Sequence, residues 1–105
     1  GFCIFNNVAI GARYVQKKYG IKRVLIVDWD VHHGNGTQEI FEKDPTVFYF
    51  STHESGNYPG TGFAHEKGVG TTCNCPIVAS EQSAKEVLSA FESVLVPAME
   101  QFKPE

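Results

Sequence analysis

Positive charge is scarce in this chain. Nine lysines and arginines face twelve acidic residues, for a formal net charge of −3. A nucleic-acid binder needs the opposite balance on at least one face, so direct binding to nucleic acid is not expected. Long apolar runs are missing too: nothing approaches the roughly 18–20 residues of a membrane span. No signal-peptide pattern opens the chain. Cysteine is sparse, with Cys3, Cys73 and Cys75 the only three. An odd number at wide spacing is not a disulfide framework. Cys73-Asn74-Cys75 has neither Cys-x-x-Cys spacing nor a partner pair, so it reads as two reduced thiols on one face of a short strand. Reduced thiols imply an intracellular protein, cytoplasmic if bacterial and cytoplasmic or nuclear if eukaryotic. No repeat or low-complexity segment occurs. The first residue is Gly1, not methionine, and the last are Phe102-Lys103-Pro104-Glu105. Both ends read as cut, so residues 1–105 are expected to be an internal fragment of one catalytic domain.

What is present is an ordinary globular balance, 42% hydrophobic and 20% charged. Asn6 or Asn7 can cap a helix reaching Tyr19, with Val8, Ala12, Val15 and Tyr19 on one stripe. Gly20 suits the position just past its end. Arg23-Val24-Leu25-Ile26-Val27 reads as a buried parallel strand. A short helix is expected over 37–43, ended before Pro45, and a second strand over 47–50. Residues 51–70 read as one long glycine-rich loop, a length that is often functional. A third strand is expected over 71–77. The clearest helix covers 81–103, with apolar residues at helical spacing from Ala84 to Phe102 and Pro97 kinking it. This alternation is α/β with mainly parallel strands. Ligands of such sheets bind outside the carboxyl ends of the strands, where residues 28–36 and the loop after the second strand should meet.

Asp28-Trp29-Asp30-Val31-His32-His33-Gly34-Asn35-Gly36 carries the chemistry. If the backbone stays extended past Asp28, then Asp28, Asp30 and His32 point the same way. Two carboxylates and an imidazole converging there call for a cation. Asp30 and His32 are the candidate metal ligands. Mixed oxygen and nitrogen ligation favours zinc over magnesium or calcium, with iron, cobalt and manganese as alternatives. Asp28 can orient a neighbouring imidazole or hold another cation. His33 points to the opposite face and reads as structural. Asn35-Gly36 is also a hairpin signal. His53 and His65 fall in the expected loop, where surface positions are the default.

These motifs resemble the histone deacetylase family, nearest its class II and bacterial members, with the three-layer arginase–deacetylase fold. The resemblance rests on Gly1-Phe2-Cys3-Ile4-Phe5-Asn6-Asn7, on Val27 to Gln38, on Ser51-Thr52-His53 and on Tyr58-Pro59-Gly60-Thr61-Gly62. It implies a zinc-dependent hydrolase that removes acetyl groups from lysine side chains of proteins such as histones. It implies that Asp30 and His32 are two of three zinc ligands. Asp28 would support one histidine of a catalytic pair and, with Ser51, bind a structural potassium ion. Asn35 would be the partner of the second histidine. Phe2 and Tyr58 would form the aromatic walls of a tunnel around the acyl-lysine stem, and Gly1 would accept the substrate amide proton. Tyr58 departs from the family's usual phenylalanine. The histidine pair, the third zinc ligand and a catalytic tyrosine would then lie outside these residues, so the fragment alone is expected to be inactive. Two alternatives share the scaffold: hydrolysis of acetylated polyamines or other small amides, and a non-catalytic acyl-lysine binding module. A manganese ureohydrolase fits less well, because its metal motif runs in a different order. The oligomeric state is not legible.

Overall fold

The structure is a computed structural model that describes residues 2–105. Gly1, expected to face a substrate amide, lies outside the described residues. The elements run α1 (Asn7–Tyr19), β1 (Val24–Asp28), α2 (Asn35–Phe41), β2 (Val47–Glu54), β3 (Thr72–Ile77), α3 (Ser83–Ala90) and α4 (Val96–Phe102). A π-helical turn, Phe91–Leu95, joins α3 to α4. The three strands form one parallel sheet with β2 in the middle. β2 is buried from Val47 to His53.

The period of two along each strand separates two cores. On one face Val47 and Tyr49 pack with Ile26, with Ala9 and Ala12 of α1, and with Phe41 of α2. On the other, Phe48 and Phe50 pack with Ala90, Leu95 and the half-buried Phe91, Ala98 and Phe102. Helices therefore cover both faces of the sheet, as the α/β reading expects.

Local signals explain the helix ends. Asn6 Oδ1 accepts the Ala9 amide, and Gly20 closes α1 in the left-handed region at φ 68°. The buried stripe of α1 keeps the expected Ala12 but gains Ala9 and loses Val8 and Tyr19. Ala9 and Ala12 are buried, whereas Val8 and Tyr19 are 56% and 66% exposed. Small side chains bring α1 close to the sheet, so its larger residues fall outside. Leu88, expected in the stripe of the last helix, is 63% exposed. Pro97 lies in the first turn of α4, directly after the π-helical turn. The missing proline N–H is thus accommodated by a change of helix type.

Two expected boundaries move. α2 begins at Asn35, two residues early, so Asn35-Gly36 opens a helix instead of a hairpin. β2 runs to Glu54, so Ser51, Thr52 and His53 belong to the strand and the long loop begins at Ser55. His53 is consequently 4% exposed, not a surface histidine. His65 is exposed, as expected.

Candidate metal and substrate site

The parallel register sets the base of the site. Asp28 lies opposite Ser51, and Ser51 opposite Asn74. One polar row therefore crosses all three strands near their carboxyl ends. Tyr49 is fully buried, and its hydroxyl donates to Asp28 Oδ2 at 3.0 Å. Burial first, and then the Asp28 carboxylate, push the Tyr49 hydroxyl far above its ordinary pKa, so it stays a donor. Gly34 leaves room for this pair: a Cβ there would stand 2.5 Å from Tyr49 Oη and 2.7 Å from Asp28 Oδ2.

Strand geometry ends at Asp28, earlier than the extended reading of 28–32 assumed. Two side-chain turns carry the chain onward. Asp28 Oδ1 accepts the Asp30 amide at 3.1 Å, and Asp30 Oδ1 accepts the His32 amide at 2.7 Å. Asp28, Asp30 and His32 are thus linked by backbone-to-carboxylate bonds in place of a pleat. Trp29 leaves on the other side of the sheet, its ring 6.3 Å from that of Phe91.

Asp30 Oδ1 and His32 Nδ1 are 3.2 Å apart. Two ligands of a tetrahedral zinc, each bonded at about 2.0–2.1 Å, stand roughly 3.3–3.4 Å from one another. The pair therefore fits two corners of a zinc site with little movement. No cluster of three or more His, Cys, Asp or Glu suited to a metal occurs among the described residues. Asp28 and Ser51, adjacent across β1 and β2, offer the oxygen donors that a hard cation prefers. Asn35 stands exposed at the start of α2.

Phe2 and Tyr58 stack with ring centroids 5.7 Å apart and planes 13° from parallel. The His32 ring meets Tyr58 edge-on at 6.3 Å. The two expected walls thus stand beside an expected metal ligand. A methylene chain between parallel rings needs a separation of about 7–8 Å, so the rings at 5.7 Å leave no room for one.

A buried polar network lies behind these groups; the sequence reading had His33 as structural, as it is, but missed the rest. His33 is 3% exposed. Its Nδ1 lies 2.8 Å from Thr61 Oγ1, and its Nε2 2.9 Å from Gln38 Oε1. Gln38 Oε1 also accepts Asn74 Nδ2, while Gln38 Nε2 donates to Glu66 Oε1 at 2.8 Å. His53 Nε2 lies 2.8 Å from the Gly62 carbonyl, and its Nδ1 2.9 Å from Ser51 Oγ. A carbonyl only accepts, so His53 carries its proton on Nε2 and its Nδ1 accepts the Ser51 hydroxyl. Burial pushes His53 below the usual imidazole pKa, which favours that neutral ring. The Ser51 lone pairs are left for another donor or a cation. Burial works against ionisation of Glu66, but bonds from Gln38 and the Phe63 amide outweigh it and hold the carboxyl below its ordinary range. The signal for His53 was present: Tyr49, Ser51 and His53 continue the period of two begun at Val47.

The family model described as histone deacetylase domain matches residues 1–105. The chain is 48% identical to Histone deacetylase 10, chloroplastic, of Oryza sativa subsp. japonica, over all of this chain and 24% of the relative. It is 47% identical to Histone deacetylase 14, chloroplastic, of Arabidopsis thaliana, covering 26% of that protein. It is also 47% identical to Polyamine deacetylase HDAC10 of Rattus norvegicus, covering 19%. The chain thus spans about a quarter or less of these curated relatives. Among solved structures, the HD domain of HDA15 superposes with a TM-score of 0.90 at 46% identity, over 99% of this chain and 32% of that one.

Proposed function

The chain belongs to the histone deacetylase family and has its α/β arginase–deacetylase fold, and on that premise we propose that the protein containing it is a zinc-dependent hydrolase of acetylated lysine side chains. The observation that carries this reading is the 3.2 Å Asp30–His32 pair set beside the facing Phe2 and Tyr58 rings. Asp30 and His32 are two zinc ligands, and the third comes from outside this chain. Zinc held there supplies Lewis acidity, polarising an amide carbonyl and acidifying a water molecule.

The chain's own residues bind and orient. The acyl-lysine stem is apolar and ends in a neutral amide, so it suits a slot between Phe2 and Tyr58 once the rings part. The Tyr58 hydroxyl adds a polar atom that a phenylalanine wall lacks. Asp28 and Asn35 accept hydrogen bonds from catalytic histidines supplied elsewhere in the protein, fixing their ring orientation. Asp28 and Ser51 would hold a potassium ion, whose charge would offset that of Asp28.

The test uses the full-length protein. Wild type is expected to hold one zinc per chain and to deacetylate an acetyl-lysine peptide. Asp30→Ala is expected to lose both. A variant that keeps its full zinc complement and its activity overturns the assignment. A second reading, hydrolysis of acetylated polyamines, draws support from the rat relative, which is named as a polyamine deacetylase. A higher kcat/KM on an acetylated polyamine than on an acetyl-lysine peptide decides for it. Zinc binding without turnover of either substrate decides for a binding module.

A further inference from the structure

The buried histidine pair is tied to both halves of the site. His33 directly follows the ligand His32, and His53 bonds Ser51. Their rings lie 4.7 Å apart and face the segment that carries Tyr58. That segment is anchored at each end. At its start, Asn57 Nδ2 donates to Glu54 Oε2 and the Gly60 amide donates to the Asn57 carbonyl. At its end, Thr61 meets His33 and the Gly62 carbonyl meets His53. Gly62 takes φ +87°, and a Cβ there would stand 2.6 Å from the His33 ring. The contact is therefore closed around a glycine and leaves no slack. Beyond it, Glu66 fastens the Phe63 amide and Gln38 together.

The proton positions follow from the partners. Gln38 Oε1 already accepts from Asn74, and Gln38 Nε2 donates to Glu66, so His33 Nε2 must donate to Gln38. In the neutral ring His33 Nδ1 then accepts the Thr61 hydroxyl. With His53 assigned in the same way, all four ring nitrogens are occupied by fixed partners. The two histidines are close enough to suggest a proton-transfer pair, yet none of their nitrogens is free to act on a substrate.

We propose that Thr61, gripped by His33, is a positioning residue that sets the height of the Tyr58 wall over the Asp30–His32 pair and so governs the hold on the substrate stem. The inference rests on the deacetylase reading above. Thr61 lies three residues beyond Tyr58, and its hydroxyl bond connects the wall to the residue beside a metal ligand. Losing that bond leaves the Gln38 bond of His33 in place, so the ligand pair keeps its support while the wall gains freedom.

The test compares Thr61→Val and Thr61→Ser in the full-length protein. Valine has the same shape without the hydroxyl, whereas serine keeps it. Two zinc-chelating probes separate wall from metal: acetohydroxamate, which has no stem, and a hydroxamate on a five-methylene stem. Thr61→Val is expected to weaken the long probe about tenfold, the scale of one lost hydrogen bond. Acetohydroxamate affinity and zinc content should stay within about twofold of wild type, since neither uses the wall. KM for an acetyl-lysine peptide should rise more than kcat falls, and Thr61→Ser should restore both. Equal loss for the two probes, or no loss for either, overturns the inference. A wild-type protein that holds no zinc and binds neither probe overturns the deacetylase reading itself, an outcome visible before any variant is made.

Discussion

On the face covered by α3 and α4, Phe48 and Phe50 of β2 lie in an apolar cluster with Leu95, Phe91 and Phe102. On the face covered by α1 and α2, Val47 and Tyr49 give way to Ser51 and His53 halfway along the same strand. One run of eight residues thus serves as core on one side and changes from core to site on the other. The division follows from the alternation of side chains in a strand. It also explains how so many polar groups are buried near the carboxyl end of the sheet. Asp28, Ser51 and Asn74 form one row, and almost every buried polar atom there has a partner. The exceptions among the described residues, Thr72 Oγ1 and Asn74 Oδ1, lie on this same face.

If the faces divide work in this way, substitutions on them should separate stability from metal binding. The largest stability effect is expected on the apolar face. Phe50→Ala should lower the unfolding free energy of the full-length protein by about 3–5 kcal/mol, measured by denaturant titration. The folded fraction should retain its zinc affinity; parallel loss of zinc would break the comparison. On the polar face, Asp28→Ala removes the acceptor of the Tyr49 hydroxyl and of the Asp30 amide. It should cost about 1–3 kcal/mol in stability and lower zinc affinity by roughly 10–100-fold. Unchanged zinc affinity would detach Asp28 from the site. Tyr49→Phe leaves the ring and removes one donor to Asp28, and should cost about 0.5–1.5 kcal/mol.

The smallest effect concerns β3, where Cys73 and Cys75 face the apolar side. The neighbouring Cys75 thiol, aided by Lys67 against some burial, brings the Cys73 thiol down to about 7. The same neighbour and burial push Cys75 far up. The thiolate is the reactive form. Alkylation at Cys73 should therefore show a pH midpoint below that of an ordinary thiol and below that of Cys75. Cys75→Ala should move that midpoint upward; an unmoved midpoint in peptide mapping would remove the thiol pair as its cause.

Much of this was legible beforehand. Alternation of elements gave the α/β class, and Asn6 and Gly20 marked the ends of α1. The spacing of Asp30 and His32 placed a candidate ligand pair that the structure does bring together. What failed has physical causes. Of the stripe expected on α1, Ala12 is buried, but Val8 and Tyr19 are exposed and Ala9 takes a buried place, because close packing on the sheet selects alanine. Ser51-Thr52-His53 looked like loop because polar residues are rare inside a central strand. Here a hydrogen-bonded network supplies the partners that make their burial affordable. Gln38, Glu66 and Asn74 could not be joined from sequence, since Gln38 and Asn74 meet across 36 positions and the links depend on tertiary packing.

The sheet order has a practical corollary for anyone producing these 105 residues on their own. β2 is paired on both sides, so β1 and β3 are the sheet's outer strands. The β3 strand contains Pro76, which interrupts any continuous ladder of amide donors along it. At the start of β1, Glu105 engages Arg23 through both its amide and its carboxylate. The outer edge of Val24 to Asp28 remains a template for a strand from a second molecule. Recombinant material should accordingly grow in particle size with concentration, and a lysine or proline placed on that stretch should keep it dispersed.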